Sequence, residues 1–303
     1  MQDSQQKILC LPVSPPPDEA TPHSLDAPGE VLSQITPVWN RFLQSLYYPA
    51  AQPYASSMLM IAAAMDEELE IARLLCRDTE RISCEKVKLW QGTRREQPIC
   101  FLKSGIGPKR SAAGLQEALR VIKPSGILLI GYAGALAPDL KLGDLVAVRK
   151  ALAFSLDEIQ PDWEHVRVDD EFELSDHQSL MGSALSAGLN ACSGNTMTSS
   201  YVLGDPVHKR LLHDRFGASI VDMETAAIAG VARSAGIPLS CIRVISDVAQ
   251  DSFLAPFAYD PSAGIPARAK KLMETGMVGT YREWKNHTAV AKESLGRFLA
   301  LYL

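Results

Sequence analysis

The chain lacks the short signatures that assign many proteins at once. Its six cysteines, Cys10, Cys76, Cys84, Cys100, Cys192 and Cys241, form no C-x-x-C pair. No zinc knuckle or dithiol redox motif is therefore present. The six histidines show no H-E-x-x-H spacing, and there is no Walker A loop and no G-x-S-x-G elbow. Basic charge is in slight deficit, 30 Lys+Arg against 35 Asp+Glu, for a net charge of −5. A nucleic-acid-binding domain carries a basic excess or stripe, which is missing here. No apolar run reaches the roughly 18 residues of a membrane span. The first residues, MQDSQQKILCLPVSPPPDE, have neither a charged n-region nor a long apolar h-region, so they do not read as a secretory signal. Scattered thiols of this kind read as reduced, several of them in the core, and point to the cytoplasm.

What is present is a core-forming composition. Hydrophobic residues make up 47% of the 303 positions and charged residues 21%, which excludes disorder throughout. That length fits one large α/β domain or two smaller ones. Residues 1–30 are rich in proline and poor in large apolar residues and read as a flexible extension. Residues 31–48, VLSQITPVWNRFLQSLYY, repeat apolar positions at helical spacing. Such a stripe packs on a main domain, or serves a membrane surface or a partner helix. From residue 58 short apolar runs alternate with helical stretches. Strands are predicted at 59–64, 99–103, 127–130, 145–148, 220–221 and 239–245. Helices are predicted at 66–75, 108–122, 206–216, 223–235, 266–273 and 286–302. Apolar strands between helices imply a largely parallel sheet covered on both faces.

Five strand-to-helix junctions carry the candidate chemistry, because ligands of open α/β sheets sit beyond the carboxyl ends of strands. They are Met65-Asp66-Glu67-Glu68, Ser104-Gly105-Ile106-Gly107-Pro108, Gly131-Tyr132-Ala133-Gly134, Val221-Asp222-Met223-Glu224 and Arg243-Val244-Ile245-Ser246-Asp247. Each has a plainer reading as a helix cap, a dipole partner or a tight turn. Their repetition argues for more. Glu68, Glu224 and Asp247 each follow an apolar strand, where one crevice can collect them. Carboxylates so grouped suit a reaction with cationic character, such as cleavage of a glycosidic bond through an oxocarbenium-like state.

Four segments together resemble the superfamily of purine nucleoside phosphorylases and methylthioadenosine/S-adenosylhomocysteine nucleosidases. They are IAAAMDEEL at 61–69, SGIGPKRSAAGL at 104–115 with GYAGALAPDLKLGDLV at 131–146, VDMETAAIAGVA at 221–232, and RVISDVA at 243–249. The resemblance implies a single α/β domain over 58–303, with a twisted mixed central sheet flanked by helices. It implies cleavage of the N-glycosidic bond of a purine nucleoside, a 5′-substituted adenine nucleoside first among them. It also implies roles: Glu68 as the base that activates water, Glu224 and Met223 on the ribose, and Asp247, oriented by Ser246, as the acid at purine N7. Tyr201 falls on the aromatic that stacks on the base, and Val202 on the residue that hydrogen-bonds its edge. Tyr132, Ala133 and Gly134 line the nucleophile side.

The nucleosidase branch is the nearer one at the first segment, where a methionine and acidic residues follow the strand. Phosphorylases carry a serine in the Gly-x-Ala-Gly loop that contacts phosphate, and here that place is Tyr132. Water is therefore the expected nucleophile, with phosphate as the alternative. The SGIGP and VDME variants and the long stretch 250–280 are also similar to the hopanoid-associated branch, which releases adenine from adenosylhopane. A non-catalytic nucleoside-binding module is the third reading. The expected partner is a small purine nucleoside, with no nucleic acid and no metal or other cofactor. A membrane contact would run through residues 31–48. Members of the superfamily are dimers or hexamers, so a homo-oligomer is expected.

Overall fold

A computed structural model describes residues 58–156, 162–252 and 278–303, the last segment with side chains from His287 onward. The proline-rich stretch, the helix read over 31–48 and the helix read over 266–273 lie outside the described residues. The chain runs β1 (Leu59–Ala63), α1 (Asp66–Leu74), β2 (Arg77–Ile82), β3 (Lys88–Arg94), β4 (Gln97–Lys103), α2 (Pro108–Val121) and β5 (Gly126–Ala135). It continues with β6 (Leu145–Phe154), β7 (Val168–Glu173), α3 (His177–Ser186), β8 (Ala191–Thr198) and α4 (Pro206–Phe216). Last come β9 (Ile220–Asp222), α5 (Thr225–Ala235), β10 (Leu239–Asp247) and α6 (Val278–Tyr302).

The helix ends follow local chemistry. Pro108 opens α2, where its missing N–H is no loss. Gly217 and Gly236 close α4 and α5 in the left-handed conformation, at φ 61° and 66°. Helix α5 begins at Thr225, two residues later than its sequence pattern predicts. The Asp222 carboxylate accepts the N–H groups of Glu224 and Thr225 at 3.1 and 3.0 Å, so the cap falls after the motif and leaves Met223 and Glu224 outside the helix.

The sheet is mixed rather than largely parallel. Its strand order is β10-β6-β8-β9-β5-β1-β4-β3-β2, with β7 beside β6. Strands β1, β4, β5 and β10 run parallel, while β2, β3 and β9 pair antiparallel to their neighbours β3, β4 and β5. A further pairing of β10 with β5 closes five strands into a ring. Closure gives each of those strands a strand partner on both sides. The strands β2, β3, β7 and β8 and the helix α3 are not anticipated by the apolar runs. Strand β2 (RDTERI) is polar and exposed along most of its length, as an edge strand should be. Strand β8 (ACSGNTMT) is built of small residues that fit tight places, and a Cβ on Gly194 would stand 2.5 Å from Ser219 Oγ.

Both faces of the sheet are covered. Met60, Ala62, Leu102 and Leu129 pack with Leu115 and Ala118 of α2 and with Ile228 and Ala229 of α5. The alternate residues Ile61, Ala63, Phe101 and Leu128 pack with Leu69 of α1, Leu180 of α3, and Leu295 and Phe298 of α6. This alternation is the two-residue period of a strand between two layers. Ala291, Leu295, Phe298 and Leu299 supply the buried stripe of α6 at helical spacing.

Strand β5 organises the molecule. One of its edges pairs with β10 from Ile127 to Gly134. Its other edge is shared, with β1 along Gly126–Leu129 and β9 along Gly134–Ala135. Between those two partners the backbone at 130–133 has no strand neighbour on that side, and the functional side chains converge there.

Helix α2 lies so close to β4 that a Cβ on Gly114 would stand 2.4 Å from the Ser104 carbonyl oxygen. Helix propensity alone predicts that Gly114→Ala stabilises by about 1 kcal/mol. We expect instead a loss of about 1–3 kcal/mol from overpacking against backbone, read as a lower urea midpoint with an unchanged m-value.

Candidate active site

Glu68 lies in the first turn of α1 and is 2% exposed. Its Oε2 accepts the Met65 N–H at 2.9 Å, which closes one half of a capping box. Its Oε1 accepts the Tyr132 N–H at 3.0 Å, inside the unpaired stretch of β5. A carboxylate thus takes the place of a strand partner. Burial raises its pKa, while the Arg243 guanidinium opposes that rise. Gly131 is required beside it, since a Cβ there would stand 2.4 Å from Arg243 Nη1 and 2.8 Å from Glu68 Oε1.

Arg243 is 1% exposed, in a strand with every residue buried. Its Nε lies 3.3 Å from Asp222 Oδ2 and its Nη2 lies 3.5 Å from Glu224 Oε2. The Nη2 also donates to Thr225 Oγ1 at 2.8 Å. Asp222 further accepts from Thr196 Oγ1 at 3.0 Å, from Thr198 Oγ1 at 2.9 Å and from Thr225 Oγ1. Those contacts occupy its carboxylate and make it the anchor of Arg243. Glu224 is freer. Its Oε1 accepts the N–H of Gly107 at 3.0 Å, at the N-terminus of α2, where the helix dipole favours an anion. Burial nevertheless pushes its pKa up to about 7, with Arg243 opposing and Asp222 adding to the rise.

Asp247 ends β10 opposite Gly134, where β10 carries one extra residue, Ser246. The bulge turns two successive side chains toward one place. Ser246 Oγ lies 3.0 Å from Asp247 Oδ1 and 3.3 Å from the Ala133 carbonyl oxygen. A Cβ on Gly134 would stand 2.7 Å from Asp247 Oδ2. Residues 131–134 therefore hold Glu68 at one end and Asp247 at the other. On the remaining oxygen of Asp247, Lys209 Nζ donates at 2.7 Å from a completely buried position on α4.

The other anticipated residues lie as follows. Ala133 is buried, and Tyr132 and Met223 are half-buried. Tyr132 serves the site by its backbone N–H, and burial and Glu68 both raise the pKa of its phenol. Tyr201 is half-buried, in edge contact with Trp163, whose ring stacks on His208 at 3.9 Å. Val202 is 40% exposed. Arg243, Asp222 as its anchor, Lys209 and the Gly107 N–H were given no role by the sequence. A signal existed for Arg243, a charge within the mostly apolar run 239–245. None existed for Lys209, one residue of the run His208-Lys209-Arg210. Among the described residues six charged side chains are buried: Glu68, Lys209, Asp222, Glu224, Arg243 and Asp247. All six belong to this region, an arrangement suited to holding a cationic sugar between carboxylates and a departing base beside an acid.

Fold and site define an enzyme of nucleoside N-glycosidic bonds, a nucleosidase or nucleoside phosphorylase. The profile of the phosphorylase superfamily matches residues 59–283, and the chain belongs to that family. A Helicobacter pylori methylthioadenosine nucleosidase mutant with 5′-methylthioadenosine in its active site is similar at 25% identity and TM-score 0.55, over 64% of this chain and 86% of its own. The Neisseria meningitidis methylthioadenosine/S-adenosylhomocysteine nucleosidase, in complex with methylthio-immucillin-A, is similar at 18% identity and TM-score 0.61, over 80% and 97%. A futalosine hydrolase mutant of H. pylori is similar at 24% identity and TM-score 0.54, over 62% and 89%.

Glu224 carries a pH dependence. Between its ordinary value of 4.5 and about 7 the folded chain keeps a proton that the unfolded chain has lost. Rising pH therefore favours unfolding across that window, by on the order of 3 kcal/mol in full. Glu68, raised in the same direction, adds to the slope. We expect stability from urea unfolding to fall from about pH 5 to 8, and Glu224→Gln to flatten much of that fall.

Proposed function

We propose that the chain hydrolyses the N-glycosidic bond of a 5′-substituted adenine nucleoside and releases the free base. The observation that carries the choice of water over phosphate is the bond from the Tyr132 N–H to Glu68 Oε1. In phosphorylases this loop contacts phosphate. Here its backbone donor is already given to the Glu68 carboxyl, and Glu224, which carries its charge above about pH 7, lies nearby. Arg243 is committed to Asp222 and Glu224. Such a place repels a phosphate dianion and accepts a water molecule.

In the proposed reaction Glu68 takes a proton from water as the oxygen bonds to C1′. Both carboxylate oxygens hold one backbone donor each and keep a further lone pair. Burial moves this carboxyl toward the range where a base works near neutral pH. Glu224 accepts from the ribose hydroxyls and stabilises the positive charge that grows on the sugar. The electrons of the C1′–N9 bond pass to the purine, and Asp247 supplies a proton at N7. Tyr201, Val202 and Met223 complete the base and sugar pockets. The 5′-methylthioadenosine complex of the similar H. pylori nucleosidase supports this substrate class. The hopanoid alternative rests on the SGIGP and VDME variants and on residues 31–48 and 250–280, most of the latter two stretches lying outside the described residues.

We also infer a homo-oligomer. The reading is supported by the oligomeric habit that the resemblance implies. Action in the cytoplasm is inferred as well. Among the described residues no helix is long and apolar enough to cross a membrane, and the five described cysteines are free thiols.

The deciding assay is base release by chromatography from methylthioadenosine, S-adenosylhomocysteine, adenosine and inosine, each with and without phosphate. Adenine without phosphate is the expected product. Release only with phosphate, as ribose 1-phosphate, overturns the choice of water. Binding without turnover overturns catalysis. Asp247→Asn is expected to lower kcat roughly 10²–10⁴-fold with substrate binding largely kept. In Glu224→Gln, loss of the substrate's 2′-hydroxyl is expected to cost little further rate.

A further inference from the structure

We propose that Lys209 is a positioning residue of the leaving-group acid, acting on the departing base through Asp247. The inference rests on the hydrolase reading above. Lysine is almost never completely buried without a partner. Here Lys209 is 0% exposed, and its ammonium is directed at the end of β10. Its Nζ lies 2.7 Å from Asp247 Oδ2, 2.9 Å from the Val248 carbonyl oxygen and 3.5 Å from the Asp251 carbonyl oxygen. The turn that supplies those carbonyls is itself closed by the Val248 N–H on Asp251 Oδ2 at 2.9 Å. Helix α4, which presents the lysine, is fixed at its start by Asp205, whose Oδ1 accepts the Val207 N–H at 2.8 Å.

The Asp247 carboxyl is thus held from several sides. Lys209 takes Oδ2, Ser246 takes Oδ1, and Gly134 lies flat against the group. This geometry matters most at proton transfer. As C1′–N9 breaks, its electron pair stays on the purine and the Asp247 proton moves to N7. A buried carboxylate is left behind, and the Lys209 ammonium is its counter-ion. Water, which gives its oxygen to C1′ and its proton to Glu68, completes the balance. Removing the cation makes the carboxylate product of that transfer costly, so the loss falls on the step in which the base departs. A lysine that merely tied α4 to β10 would affect every substrate alike.

The test compares two leaving groups. Lys209→Met is assayed on the best purine nucleoside and on p-nitrophenyl β-riboside, whose leaving group departs as a stable anion and needs no proton. We expect kcat on the nucleoside to fall roughly 10²-fold with KM little changed, and cleavage of the nitrophenyl riboside to fall far less. Equal losses on both substrates overturn the proposal. Should Lys209→Met fail to fold, Asp247→Asn is compared with the double variant Asp247→Asn/Lys209→Met, which removes both members of the ion pair. If Lys209 acts through Asp247, the second change costs no further rate on the nucleoside, and a multiplying loss overturns the proposal. A wild-type protein that releases no base defeats the functional reading itself, a different result from either.

Discussion

One buried guanidinium sets the terms for the rest of the site. Arg243 stands in a strand with no exposed residue, and a charge in such a place must be met by opposite charge and hydrogen bonds. Asp222 meets it and is itself held by three threonine hydroxyls from β8 and α5. The same carboxylate caps α5, so one group joins the ion pair, the helix start and two strands. Glu224 follows from that arrangement. It leaves the helix because Asp222 has taken the cap, and it reaches both Arg243 and the N-terminus of α2.

The second constraint is topological. Strand β5 pairs with three others, and the two on its shared edge do not meet. Backbone donors in the gap need partners, and Glu68 provides one for Tyr132. A site built on a sheet edge between rigid strands keeps its geometry better than one built on loops. The glycines at 131 and 134 belong to the same logic, because carboxylates approach the strand where a side chain would otherwise stand.

How far the sequence revealed this varies with the range of each interaction. Local signals read well: Pro108 starts α2, Gly236 ends α5, and the acidic junctions fall where strands give way to helices. The polar strand β2 and the small-residue strand β8 have no apolar run to announce them. Ring closure through β5 and β10 is a long-range pairing with no local mark. Glu68, Glu224, Ser246 and Asp247 could be named because the strand ends are local features. Lys209 could not, because its run of basic residues reads as a solvated helix face until the fold turns one member inward.

The two halves of the site differ in charge, and the difference bears on mechanism. Around Glu68, three carboxyl groups face one guanidinium, so above the Glu224 value of about 7 the balance is negative, where the proposed reaction places the cationic sugar. Beside Asp247 lies the Lys209 ammonium at 2.7 Å, so this half is less negative where the proposed reaction gives the base its proton. An anionic nucleophile would enter the more negative half against its field, whereas water enters without that cost and gains a base to receive its proton. A departing base left as an anion would be stabilised beside the lysine and repelled beside the glutamates. In the proposed reaction the field therefore differs between sugar and base along the direction of the bond that breaks. The four residues 131–134, with Glu68 at one end and Asp247 at the other, fix that direction.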